Sequence, residues 1–233
     1  MSRFGYPVYL ELAGKRCVVV GERAVREDKV EGLLAAGADE VLVVALGPTE
    51  RLAELHGVAG VVVERRMWRA SDLDGAFLVV GASADPGERA AIAREARLRR
   101  AQVNVMDDVP NCDWAAPAIV RRGDLVLAIG TGGASPVLAK LLRERFEREY
   151  GPEWAEVLAV LRAVREETME HLPSFEHRAR RWREALDPDE AASMVLEGHA
   201  EELAERLRAR LLAPTRTTDA LPSAHPVHSP VQG

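Results

Sequence analysis

Cys17-Val-Val-Val-Gly-Glu-Arg-Ala-Val-Arg26 is the stretch on which the reading of the first half of this chain turns. Four apolar residues without polar alternation, stopped by a glycine, describe a short strand buried on both faces. Residues 25–36 then carry Val25, Val30, Leu33 and Leu34 at helical spacing and close on Gly37, which predicts a helix with a glycine stop. A buried strand running straight into an amphipathic helix opens a parallel β-α-β unit. Working outward, apolar runs at 41–45, 60–63, 77–81 and 102–106 read as further strands, with helices near 49–55 and over 86–100. The alternation predicts a doubly wound α/β domain with helices on both faces of a parallel sheet. Ligands of such sheets bind beyond the carboxyl ends of the strands, which singles out the loops at 21–25, 46–48, 81–84 and 106–110.

The first of these loops departs from the usual dinucleotide pattern. G-x-G-x-x-G lets backbone approach a pyrophosphate at a helix N-terminus. Here only Gly21 is present, Glu22 brings a carboxylate to where phosphates would lie, and Arg23 offers an offsetting charge without restoring the missing room. From this loop alone, nicotinamide binding and a parallel sheet without a nucleotide stand level.

Two other stretches carry chemistry. Asn104-Val-Met-Asp-Asp-Val-Pro-Asn-Cys-Asp113 sets adjacent carboxylates at a strand end, where they are costly to bury and do nothing for a core. Asp107 is the candidate proton acceptor, and Asp108 reads as a turn residue. Thr131-Gly-Gly-Ala-Ser-Pro136 opens the next helix, with Ser135 as N-cap and Pro136 at the first helical position. The same N-terminus offers donors and a positive field to a substrate carboxylate. Arg121, Arg122, Lys140 and Arg143 are candidate counter-charges beside a solvated-face reading. His171, His177 and His199 have no metal spacing and read as surface residues; Cys112 reads as a small buried side chain.

Past Cys112 the pattern changes to a hairpin, 118–120 and 125–129 about Arg121-Arg-Gly-Asp124, then a helix from 135 to about 150. Charged amphipathic helices follow at about 153–170, 175–186 and 189–212. The tail from Pro214, rich in Pro, Ser, Thr and His, reads as disordered. With 233 residues, 47% of them hydrophobic, the chain has ample material for a core. Its net charge of −6 argues against general nucleic-acid binding. Two cysteines are too few for a disulfide framework and suit a reducing cytoplasm, and no apolar run reaches membrane-spanning length.

The order Tyr6-Pro-Val-Tyr-Leu-Glu-Leu-Ala-Gly-Lys-Arg-Cys-Val-Val-Val-Gly21, Lys29, Leu33-Leu-Ala-Ala-Gly37, Asn104-Val-Met-Asp-Asp108, Cys112-Asp113, Pro117-Ala-Ile-Val-Arg-Arg-Gly-Asp124 and Thr131-Gly-Gly-Ala-Ser-Pro-Val-Leu-Ala-Lys-Leu-Leu-Arg143 resembles the precorrin-2 dehydrogenase and sirohydrochlorin ferrochelatase family of sirohaem synthesis, over roughly residues 4–150. The resemblance implies NAD-dependent oxidation of precorrin-2 to sirohydrochlorin, with Fe2+ insertion, a lyase activity, in bifunctional members. It implies a Rossmann-like NAD-binding domain over 1–112, a small α+β dimerisation region over 113–150, a helical C-terminal domain over 151–212 and a tail over 213–233. A cytoplasmic homodimer, with the tetrapyrrole in a cleft and no resident metal, goes with it. Carried onto this chain, the catalytic aspartate falls on Asp107. Cofactor contacts fall on Gly21, Ala24, Val25, Leu46 and Gly47, and substrate contacts on Ser135, Asn104 and Arg121. The alternative is a chelatase-only or non-redox tetrapyrrole-binding member, favoured by the altered loop at Glu22-Arg23.

Overall fold

The computed structural model describes residues 4–21, 27–47, 49–58, 60–172 and 174–214. Five strands, β1 Arg16–Gly21, β2 Glu40–Ala45, β3 Val61–Glu64, β4 Leu78–Ala82 and β5 Gln102–Val105, form a sheet in the order β3-β2-β1-β4-β5. Every neighbouring pair is parallel. Their apolar runs feed two layers by simple alternation. Cys17, Val19, Val41, Val43 and Val80 face a core shared with Val30 and Leu33 of α1 (Glu27–Ala35) and Leu52 of α2 (Glu50–Glu54). Val18, Val20, Val44, Val79 and Val103 face the other, against Ile92, Ala93 and Ala96 of α3 (Pro86–Leu98). Burying each such valine or leucine contributes about 1.5–3 kcal/mol, so the sheet is the rigid part of this unit.

Chain direction places the working edge. The strand order reverses between β1 and β4, so their carboxyl ends, Gly21 and Ala82, flank a topological switch point. Gly21 has a φ of +154°, and a Cβ there would lie 1.8 Å from the Ala82 carbonyl oxygen, so only glycine ends β1 this way. The start expected for the first helix, residues 25 and 26, lies outside the described residues.

Contacts divide the described chain into two compact units. One runs up to Ala118 and includes Gly130–Ala139; the other comprises Ile119–Ile129 and the chain from Lys140 onward. The expected hairpin forms as β6 Ala118–Arg122 and β7 Leu125–Ile129, a separate two-stranded sheet, followed by α4 Pro136–Glu149. Helices α5 Glu153–Thr168, α6 Phe175–Ala185, α7 Pro188–Leu196 and α8 Ala200–Leu212 pack around Val157, Val164, Met194, Leu203, Leu207 and Leu211. Arg181 on α6 is buried, and its guanidinium donates to the carbonyls of Arg210, Leu211 and Ala213 at the end of α8.

The single helix expected over 189–212 is two. Gly198 takes a φ of +81°, its amide donates to the Val195 carbonyl and the His199 amide to that of Met194, so α7 closes in a Schellman motif. The hydrophobic period continues across the break, which hid it. His177, expected at the surface, is half-buried, and its Nε2 is buried without a hydrogen-bond partner among the described residues. The tail beyond Pro214 lies outside the described residues.

Candidate active site at the carboxyl edge of the sheet

Three described loops follow the carboxyl ends of β2, β4 and β5. After β2, Leu46 is 52% exposed and Gly47 is exposed, so a large apolar side chain is presented at this edge. Thr49 then caps α2, accepting from the Leu52 amide at 3.1 Å, and its hydroxyl donates to Glu27 at the start of α1. Ala24 and Val25, in the loop after β1, lie outside the described residues.

The loop after β4 is small and stiff. Ser83 is buried; its hydroxyl donates to Glu88 Oε2 at 2.5 Å and accepts from the Asp85 amide at 3.0 Å. Trp68 Nε1 holds the other Glu88 oxygen at 2.7 Å. Asp85 caps α3, accepting from the Gly87 amide at 2.9 Å, and Pro86 takes the first turn where its missing N–H costs nothing. Gly81 cannot grow a side chain, because a Cβ would meet Ile92 Cγ2 at 2.8 Å. Among the described residues, the ends of β1 and β4 and the loop after β4 thus carry only small residues up to Ala84 (Gly21, Gly81, Ala82, Ser83 and Ala84), which fits close approach of an extended dinucleotide.

At the end of β5, Asp107 is exposed and has a φ of +58°. Asn and Asp reach the left-handed region more readily than other side chains. The turn beneath it is braced from inside. The Cys112 thiol, buried, accepts from the Val105 amide at 3.2 Å and donates to the Val105 carbonyl at 3.1 Å, a packing role as expected. Asn104 Nδ2 donates to the Trp114 carbonyl at 2.8 Å, so this candidate substrate contact has its amide nitrogen engaged in the same turn. Asp108 accepts from Asn111 Nδ2 at 3.0 Å and from Arg89 Nε at 3.1 Å. These two donors, Asn111 first, hold its carboxyl below the ordinary carboxylate range. The expectation of Asp108 as a turn residue is met. Arg89, Glu88, Ser83 and Asn111 were not singled out from the sequence; the one available signal was that a second acid beside Asp107 needs a cation.

The turn before α4 stands as read. Gly132 and Gly133 take φ of +62° and +83°, and Ser135 Oγ accepts from the Leu138 amide at 3.1 Å as N-cap. Thr131 Oγ1 accepts from the Ser135 amide at 3.3 Å. Arg121 is exposed. Arg122 is a different case: its guanidinium donates to the Glu147 and Tyr150 carbonyls at 3.0 and 2.8 Å, closing the end of α4, and is spent there. Lys140 and Arg143 pair along α4 with Glu144 and Glu147. Among the described residues no three His, Cys, Asp or Glu side chains gather as a metal-ligand set, and no helix is long and apolar enough to cross a membrane.

Residues 8–118 match a family model described as putative NAD(P)-binding, and residues 122–149 match the sirohaem biosynthesis protein central model. The chain is 35% identical over 206 residues to siroheme synthase 1 of Pectobacterium atrosepticum, covering 88% of this chain and 42% of that protein. It is 36% identical over 203 residues to siroheme synthase of Methylococcus capsulatus, covering 86% and 42%. It therefore spans less than half the length of these curated relatives. Among solved structures it resembles SirC, precorrin-2 dehydrogenase, with a TM-score of 0.65 and 25% identity, covering 87% of this chain and 98% of that one.

Proposed function

We propose that this chain, whose residues 8–118 match the putative NAD(P)-binding model and 122–149 the sirohaem biosynthesis central model, catalyses NAD-dependent dehydrogenation of precorrin-2 to sirohydrochlorin. The observation that carries the reading is a carboxylate, Asp107, exposed at the carboxyl end of β5 in a sheet whose described switch-point residues, at the ends of β1 and β4, are small. The chemistry that NAD+ supplies when bound is acceptance of a hydride. Gly21, Ala24, Val25, Leu46 and Gly47 are the residues that would hold it, chiefly through backbone, so that the side-chain changes at Glu22 and Arg23 are tolerated.

Removing two hydrogens from the macrocycle also releases a proton, and Asp107 takes it at a carboxylate oxygen. Asn104 serves this side through the turn it braces. Ser135 caps α4, and the amides of that helix start meet a carboxylate of the substrate; Arg121 is kept as a separate candidate counter-charge. In the same reading the chain is a cytoplasmic homodimer, with 113–150 as the dimerisation region. Exposed Val137, Leu138 and Leu141 on α4, a helix with no buried residue, and a two-stranded sheet that is marginal alone support it. Fe2+ insertion into sirohydrochlorin is a second reaction open to the same carboxylate, which would take pyrrole protons as the metal enters.

Calorimetric titration with NAD+, followed by anaerobic addition of precorrin-2, tests the proposal. Saturable binding and NADH formed with sirohydrochlorin are expected. Absence of binding at millimolar NAD+, with iron still inserted into sirohydrochlorin, would leave the chelatase reading in its place.

A further inference from the structure

Arg89 and Asp108 have no part in the chemistry just described, yet they connect its two halves. Arg89 is in the first turns of α3, and its side chain is 21% exposed; that of Asp108 is 14% exposed. Nη1 of Arg89 donates to the carbonyls of Ser83 and Ala84 at 3.0 and 3.1 Å, while Nε of the same planar group donates to Asp108 Oδ2 at 3.1 Å. Asn111 Nδ2 completes the carboxylate oxygen at 3.0 Å. One guanidinium thus ties the loop after β4 to the loop after β5, across two strands already paired in register. A solvent-exposed ion pair would contribute little. This one is largely shielded, and its fork reads backbone carbonyls on one side and a carboxylate on the other, a geometry that lysine cannot reproduce.

The placement is what gives the pair a role. The β4 loop flanks the switch point, where a dinucleotide binds in this architecture. The β5 loop carries Asp107 immediately before Asp108, in a left-handed conformation that is held only as well as the turn that follows it. We propose that Arg89 and Asp108 are a positioning pair that sets the Asp107 carboxylate in register with the loop after β4, which flanks the switch point without itself contacting the cofactor, so that proton removal and hydride departure occur at one matched geometry. This deepens the assignment of Asp107 as proton acceptor and rests on it.

The full chain as Arg89→Met, Asp108→Asn, the double variant and Arg89→Lys is the test, read by kcat for precorrin-2 with NAD+, NAD+ affinity by calorimetry, and amide hydrogen exchange. Each single variant should lose about 10- to 100-fold in kcat, the scale of a misplacement near 1 Å, with NAD+ affinity unchanged. The double variant should fall no further than the worse single, because both remove one connection. Arg89→Lys should lie between, keeping the ion pair and losing the fork. Exchange should quicken at the amides of 83–85 when Asp108 is changed and at those of 106–109, 111 and 112 when Arg89 is changed. Folded variants with wild-type kcat, or losses that simply add, would overturn the positioning role. Should the wild type itself not oxidise precorrin-2, the functional reading fails, and exchange still decides the coupling: reciprocal loosening keeps it, and loosening confined to the mutated loop removes it.

Discussion

Asp107 holds a backbone conformation that costs a typical side chain about 1–2 kcal/mol, and the tolerance of aspartate for it lowers that cost. Asp107→Gly should therefore leave stability within about 1 kcal/mol of wild type in urea titration while removing the carboxylate, which separates chemistry from fold. Gly21 is the opposite case. Gly21→Ala forces a Cβ onto the Ala82 carbonyl and should cost about 2–3 kcal/mol by the same measurement. Cys17, fully buried in β1, has its thiol pushed up to about 11, by burial first and then by Glu40. Its folded pKa lies above the unfolded one, so this contribution is present below about pH 9 and lost as pH rises through about 11. Alkylation of native protein at pH 8 should accordingly be far slower at Cys17 than in urea. For Asp108 the sign reverses. Its carboxyl is held low by Asn111 and Arg89, so its contribution is present above the ordinary carboxylate value of about 4 and lost as pH falls through the lower folded one. The stability gap between wild type and Asp108→Asn should shrink between pH 7 and pH 3.

At the scale of elements, strands announce themselves and irregular turns do not. The runs at Cys17, Val41 and Phe77 were legible because a parallel strand buried on both faces has no polar positions. Gly37 was legible as a helix stop, and the bonds from Ala38 to Leu33 and Gly37 to Leu34 bear it out. Gly198 makes the same motif but interrupts a hydrophobic period that resumes in phase at Leu203, so periodicity ran across it. The 3-10 turns at Ala70–Leu73 and Val109–Asn111 are too short to have a period at all. The partner of Asp108 could not be read either, since Arg89 lies 19 residues away on another element. One helix stop was misplaced for an instructive reason. α3 ends at Leu98, and Arg100 takes the left-handed position with a φ of +61°, where a glycine would mark the end plainly. Arg100→Gly should raise stability by about 1 kcal/mol, visible as a higher midpoint in thermal unfolding.

The whole molecule brings a nucleotide-type sheet, a two-stranded hairpin and a separately cored helical unit onto one chain. Its sheet supplies the rigid edge on which Asp107 stands, and α4 leaves Val137, Leu138 and Leu141 exposed. If that face joins two copies, Val137→Asp with Leu141→Asp should convert a dimer to a monomer in sedimentation equilibrium, and an unchanged mass would place the contact elsewhere. In the proposed reaction one carboxylate at the end of β5 takes the proton while NAD+ takes the hydride. Single-turnover oxidation of precorrin-2 by wild type and Asp107→Asn, at saturating NAD+ and with NAD+ affinity measured alongside, tests it most directly. NADH should form in step with sirohydrochlorin for the wild type, and the rate should be lower by about 100-fold or more for Asp107→Asn at unchanged NAD+ affinity. Equal rates for the two proteins would contradict it.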